Sequence, residues 1–236
     1  MRKIAILNFK GGTGKTTTAV NLSAALALKR QNVLVIDCDP QGSVADWLDV
    51  NPENTFFDLL TDKLNPQKCI YQARDRLSII PSDKQLVLIE IRLAKDENME
   101  KAFQNKLGSI KNYDFVFLDC PPSMSILNVN ALEYADEIFM PVSMDYLSLR
   151  GVKQVVQSLP QGIEITRILP TFYDQRTKKS QEILQDLKSF FKEKVTSPIR
   201  VNVRLSEASS FHKTIFEFEP NSRGARDYTR LAEEII

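Results

Sequence analysis

The sequence predicts an α/β fold in three layers, a mostly parallel, twisted sheet with helices on both faces. Three observations carry that prediction. Short runs such as Val33-Leu34-Val35-Ile36 and Phe115-Val116-Phe117-Leu118 are continuously apolar instead of alternating, as strands covered on both faces should be. Helical patterns lie between such runs, the alternation expected of strand-helix-strand units. Both of these runs also end in an aspartate, and ligands of open α/β sheets gather at the carboxyl ends of strands.

Taken in order, the first strand runs from about Lys3 to Leu7 and the first helix from Thr16 to about Arg30. Between and into them reads Asn8-Phe9-Lys10-Gly11-Gly12-Thr13-Gly14-Lys15-Thr16-Thr17-Thr18, glycine-rich where a strand turns into a helix. That is phosphate-loop context. Gly11, Gly12 and Gly14 let the backbone take positive φ and crowd close to an anion, while successive amides and the helix N-terminus direct partial positive charge at it. Lys15 then reaches β- and γ-phosphates, the Thr16 hydroxyl ligates Mg2+, and Thr13 and Thr17 complete the phosphate-lining loop.

The strand Val33 to Ile36 closes on Asp37-Cys38-Asp39-Pro40-Gln41-Gly42. Either aspartate alone reads as a turn or cap residue; the pair, at a strand's carboxyl end facing the loop, reads as part of a site. Residues 46–75, with Trp47-Leu48, Phe56-Phe57 and Cys69-Ile70, predict short helices on the sheet edge. Leu77 to Pro81 is a strand, and Asp83 to Leu107 a long helix with Leu86, Ile89, Leu93 and Phe103 inward. The next strand ends at Asp119, followed by Cys120-Pro121-Pro122, and its carboxylate holds the Mg2+ water shell opposite Thr16. Further on come a helix from Ser125 to Ala135, a strand from Glu137 to Val142, a helix from Leu147 to Leu159 and a strand from Ile163 to Pro170. An amphipathic helix then reaches Lys194, with Ile183, Leu184, Leu187, Phe190 and Phe191 inward.

Composition narrows the classes. At 236 residues the chain is long enough for one α/β domain with a substantial core and too short for two ordinary domains and a linker. Net charge is +1, where a dedicated DNA-binding domain would be clearly basic. Cys38, Cys69 and Cys120 have no paired spacing and follow no signal peptide, which predicts reduced cytosolic thiols and a cytoplasmic location; as small buried residues they need no iron-sulfur role. No apolar run approaches the length of a membrane span. His212, the single histidine, removes His-based triads and most zinc sites and reads as a surface residue.

Phe9 stands where the standard G-x-x-x-x-G-K-[ST] loop has its first glycine, and Lys10 lies five residues before Lys15. The resulting K-G-G-T-G-K-T resembles the deviant Walker A loop of the ParA/MinD family of dimeric ATPases. Asp37-Cys38-Asp39-Pro40-Gln41-Gly42, the D-x-P-P at Asp119, Asn202 to Ala208 (N-V-R-L-S-E-A) and Ser222 to Tyr228 are similar to ParA proteins of the Soj type. Where those carry A-P-S, this chain has Ala208-Ser209-Ser210.

The resemblance implies a single P-loop NTPase domain over residues 1–236 that uses ATP and Mg2+. It implies that Lys10 crosses a dimer interface to the partner's nucleotide, that Asp39 orients the attacking water while Asp37 supports the Mg2+ shell, and that Thr171 and Phe172 lie near the adenine. An ATP-bound homodimer would bind double-stranded DNA nonspecifically through Arg200, Arg204, Lys213, Arg223, Arg226 and Arg230, on the nucleoid, with a ParB-like stimulating partner. Residues 196–236 hold six basic and six acidic side chains, so for each of these a surface ion pair is the competing reading. The alternatives are a MinD-like membrane ATPase and a ParA-like positioner of a protein cargo. The first needs a basic amphipathic helix, which Leu231-Ala232-Glu233-Glu234-Ile235-Ile236 does not supply.

Overall fold

The structure is a computed structural model that describes residues 1–61, 64–93, 99–159 and 163–236. Its strands are β1 (Arg2–Ile6), β2 (Val33–Asp37), β3 (Tyr71–Arg74), β4 (Leu77–Ile80), β5 (Phe115–Asp119), β6 (Glu137–Ser143) and β7 (Arg167–Thr171). They form one sheet in the order β3-β4-β2-β5-β1-β6-β7, every pair parallel except β3 with β4. The helices are α1 (Lys15–Leu28), α2 (Ser43–Leu48), α3 (Phe56–Thr61), α4 (Val87–Leu93), α5 (Ala102–Leu107), α6 (Ile126–Tyr134), α7 (Tyr146–Ser158), α8 (Lys178–Phe191), α9 (Val203–Ser210), α10 (Ile215–Phe218) and α11 (Arg223–Ile235).

Strand alternation sorts the core into two layers. Ala5, Leu34, Ile36, Val116 and Leu118 face one side, where residues of α3 to α8 cover them. Ile4, Ile6, Val33, Val35, Phe115 and Phe117 face the other, beneath α1, α2, α9, α10 and α11. Burial on both faces is why these strands read as unbroken apolar runs. Chain direction across the sheet reverses at β1: α1 leads from it toward β2, whereas α6 leads from β5 to β6 on its far side. The carboxyl ends of β1, β2, β5, β6 and β7 therefore surround one crevice, at the place where such sheets bind ligands. No helix among the described residues is long and apolar enough to cross a membrane.

Four expectations need correction. Tyr71–Arg74 is an antiparallel edge strand instead of helix, turned into β4 at Arg76, which takes a left-handed φ of 56°. Its Y-Q-A-R sequence has no apolar run to announce a strand. The stretch Asp83 to Leu107 is not one α-helix: Lys84–Leu86 and Met99–Lys101 are 3-10 turns leading into α4 and α5, and residues 94–98 lie outside the described residues, as does the Leu93 side chain. Leu86, Ile89 and Phe103 are buried as expected. The strand expected from Ile163 begins at Arg167. On α8, Ile183 and Leu187 are buried four residues apart and Phe191 continues their stripe, which leaves Phe190 on the flank at 67% exposure.

Candidate active site

The loop between β1 and α1 is shaped by its glycines. Gly12 and Gly14 take φ of 71° and 88°, while Gly11, contrary to expectation, does not use the left-handed region. Gly14 caps α1 with its backbone alone: no side chain bonds the first-turn amides and no acidic residue sits in that turn. A helix N-terminus left in this state is a ready anion site. A Cβ at Gly11 or Gly12 would meet nothing within 4 Å, so the space beside the loop is open. The loop is also pinned at both ends. Asn8 donates its Nδ2 to the Pro141 carbonyl at 2.7 Å and accepts the Lys10 amide at 3.0 Å, and the Thr171 hydroxyl donates to the Thr13 carbonyl at 2.8 Å.

The two lysines point to different partners. Lys15 is buried and spans the loop, its Nζ donating to the Lys10 carbonyl at 3.2 Å. Burial holds its pKa below the usual lysine value, opposed by the nearby Asp119 charge. Lys10 instead reaches Asp145, 2.8 and 3.0 Å from the two carboxylate oxygens, and donates to the Ser148 hydroxyl at 2.9 Å. Its side chain remains 36% exposed.

The carboxylates converge from two adjacent strands, with Asp37 opposite Asp119 in the parallel register. Asp119 accepts the Thr16 hydroxyl at 2.6 Å on Oδ2, while its Oδ1 is buried without a partner. Asp37 accepts the Asp39 amide on Oδ1 and the Val44 amide on Oδ2, both at 3.0 Å. Burial pushes both carboxyls up; for Asp37 the neighbouring Asp119 adds to this, and for Asp119 the Thr16 hydrogen bond and Lys15 pull back. Asp39 lies half-buried at the rim and accepts the Gln41 amide at 3.0 Å. Gly42 lets this turn close: at φ 66° a Cβ there would stand 2.8 Å from the Ser82 carbonyl oxygen. A buried, orphaned carboxylate oxygen beside a hydroxyl is a hard-oxygen donor set of the kind Mg2+ takes.

Beside Gly14 and Thr17 lies a pocket of about 360 Å3 whose walls include Thr171, Phe172, Val201 and Val203. Phe172, left-handed at φ 53°, is half exposed there. Pockets of this volume suit small ligands.

The six basic residues separate into two groups. Arg200 is bound to the buried Asp227, with its Nη2 2.5 Å from Oδ1, and Arg204 to Glu207 at 2.6 Å. Lys213, Arg223, Arg226 and Arg230 are exposed, and among the described residues none of the four forms an ion pair. The three arginines recur at helical spacing on α11, away from the buried Tyr228, Leu231 and Ile235.

Two residues escaped sequence reasoning. Asn8 announces itself only as a polar residue directly after a buried strand. Asp145, with Ser148 three residues on, has the grammar of a helix N-cap, and its carboxylate does accept the Ser148 amide at 2.9 Å.

An α/β sheet with an uncapped helix N-terminus, a buried loop lysine and a hydroxyl-carboxylate pair at its carboxyl edge defines a phosphate-loop nucleotide-binding protein. Residues 1–167 match the AAA domain family. The chain is 39% identical over 244 residues to the chromosome-partitioning ATPase Soj of Thermus thermophilus, covering 100% of this chain and 96% of that one. Its fold is like that of apo McdA from Cyanothece, at a TM-score of 0.87, 22% identity and full coverage of both chains. It is also like that of a Mycobacterium smegmatis cobyrinic acid a,c-diamide synthase solved with an ATP analogue and magnesium, at a TM-score of 0.81 and 27% identity over 100% of this chain and 94% of that one. This chain belongs to the Soj/ParA family of chromosome-partitioning ATPases.

Proposed function

We propose that residues 1–236 act as one ATP-driven unit: ATP and Mg2+ bind at the loop, two subunits pair across the bound nucleotides, the pair holds DNA without sequence preference, and hydrolysis releases it. Soj relatives named as chromosome-partitioning ATPases support this reading. The placement of Lys10 carries it. Lys15 spans the loop, whereas the Lys10 ammonium rests on Asp145 and Ser148 with its side chain 36% exposed, accessible to a second molecule.

In this reading Lys15 and the amides of Gly11 to Thr17 bind the phosphates. Thr16 and the orphaned oxygen of Asp119 would hold Mg2+, which when bound would offset phosphate charge, and Asp37 would support that arrangement from behind. Asp39 orients the attacking water. Lys10 of each subunit stabilises charge developing on the other's transferred phosphate, a contribution worth roughly 10³ to 10⁵ in rate for the arginine finger of GTPases. Thr171 and Phe172 border the base pocket.

On the DNA side, Lys213, Arg223, Arg226 and Arg230 meet phosphates, and Arg200 and Arg204, already held by carboxylates, contribute less. Pairing doubles the four free cations to about eight, within the range for which affinity falls by roughly 10³ to 10⁵ between 50 and 200 mM salt. A ParB-like protein stimulates hydrolysis and the paired form is nucleoid-associated. The apolar face of α11 lies on α1, so that face is not free to meet a membrane surface.

Light scattering and DNA gel shifts with Mg2+ and a slowly hydrolysed ATP analogue test this. Lys10→Ala is expected to bind nucleotide as a monomer and lose both pairing and DNA retention, while Arg226→Glu pairs normally and loses DNA. Normal pairing and turnover in Lys10→Ala would refute the trans role.

A further inference from the structure

We propose that Asp145 is a positioning residue for Lys10: in the unpaired subunit it holds the lysine on its own chain, and so sets how much ATP is needed before two subunits pair. This rests on the trans role of Lys10 argued above. Asp145 follows β6 and caps α7, and its carboxylate collects the Ser143 hydroxyl at 2.7 Å, the Ser148 hydroxyl at 2.8 Å and the Ser148 amide at 2.9 Å besides Lys10.

The bookkeeping of donors shows which partner is expendable. If Lys10 leaves, Asp145 keeps the two serine hydroxyls and a helix amide, so no buried charge is orphaned and the departure is mild. Lys10, by contrast, loses the partners its ammonium has among the described residues, Asp145 and Ser148, and finds a replacement on an anion such as another subunit's triphosphate. The two side chains are 36% and 34% exposed, so the pair is a rim contact able to open, not a buried bridge.

The lysine's base is fixed while its tip is free to swing. Its amide is held by Asn8 and its carbonyl receives the Lys15 ammonium. A phosphate that draws Lys15 off that carbonyl alters the backbone from which Lys10 projects, which links an occupied loop to release from Asp145. Charge at Asp145 is well defended: burial pushes the carboxyl up, and the hydrogen bonds from Lys10, Ser143 and Ser148 outweigh that and hold it well below the usual carboxylate range. The competing view is that Asp145 only caps α7. Asparagine and serine cap as well as aspartate does, so substitution by either removes the charge and leaves the cap.

The test titrates ATP against dimer formation for the wild-type chain, Asp145→Asn, Asp145→Glu, Lys10→Ala and the double variant Lys10→Ala/Asp145→Asn, with thermal melting as a check on folding. Asp145→Ser replaces Asp145→Asn should the latter not fold. Release of Lys10 predicts that Asp145→Asn pairs at roughly two- to fivefold lower ATP, that Asp145→Glu stays near wild type, and that the double variant behaves as Lys10→Ala. An ATP requirement in Asp145→Asn equal to or above that of wild type, with Lys10→Ala unable to pair, overturns the role of Asp145 and leaves the trans lysine standing. Wild-type pairing by Lys10→Ala itself removes the trans lysine instead. A lowered requirement that persists in the double variant overturns the proposal too, since the effect would then bypass Lys10.

Discussion

The tips of β2 and β5 lie side by side, both reading Asp-Cys, with Asp37 opposite Asp119 in the register. Their side chains are almost equally buried, yet their oxygens are spent differently. Both oxygens of Asp37 take backbone amides, from Asp39 and Val44, so this carboxylate is consumed in folding the turn that presents Asp39. Asp119 takes one hydroxyl and leaves an oxygen unclaimed. Sequence reasoning assigns both to the metal shell. The hydrogen bonds distinguish a carboxylate that organises a loop from one that is open to a ligand.

The largest effect that would break this distinction is on turnover. Asp119→Asn keeps an acceptor for Thr16 and removes a buried charge, so the nucleotide-free protein should melt at or above the wild-type temperature. Its Mg2+-dependent ATP hydrolysis should nevertheless fall by about 10² to 10³. Retained Mg2+-dependent turnover would show that the orphaned oxygen is not the metal's. Next in size is a stability effect. Asp37→Ala strands two backbone amides, that of Val44 fully buried, and should destabilise the fold by about 2–4 kcal/mol, read as a drop in the urea midpoint. If Asp37→Ala matched wild type in stability but lost its response to Mg2+, the two aspartates would have exchanged roles.

What the sequence made legible follows from the same physics. Strands buried on both faces must be apolar almost throughout, so β2 and β5 stand out, and Ile4–Ile6 and Leu77–Ile80 follow with only Ser78 breaking the run. A phosphate cradle demands glycines, a lysine and a hydroxyl in fixed order, a pattern that Gly12, Gly14, Lys15 and Thr16 display in the sequence itself, and Gly12 and Gly14 do take the positive φ expected of them. What stayed hidden depends on context. Tyr71–Arg74 is a strand because β4 offers it an edge and Arg76 accepts a left-handed turn, neither of which composition records. Leu86, Ile89 and Phe103 keep an inward pattern while 3-10 turns interrupt the α-helix, since burial fixes side chains and not hydrogen-bond type. The Lys10–Asp145 pair joins residues 135 apart, so its cap spacing was visible and its partner was not.

The smallest expected effect sharpens the comparison at the cysteines. Cys38 and Cys120 are fully buried, and burial pushes both thiols well above their ordinary range. Because the thiolate is the reactive form, iodoacetamide at pH 8 should label neither in the native protein and both in urea. Asp37→Ala should then expose an asymmetry: losing the amide contacts of the 37–44 turn loosens the segment that covers Cys38, whereas Cys120 still leads into Pro121 and Pro122, where Asn128 Nδ2 donates to the Pro121 carbonyl at 3.1 Å. Mass spectrometry of timed labelling should find Cys38 modified first. Equal rates at the two sites would mean that Asp37 steadies both tips alike, and the division between a loop-organising and a ligand-facing carboxylate would lose its structural basis.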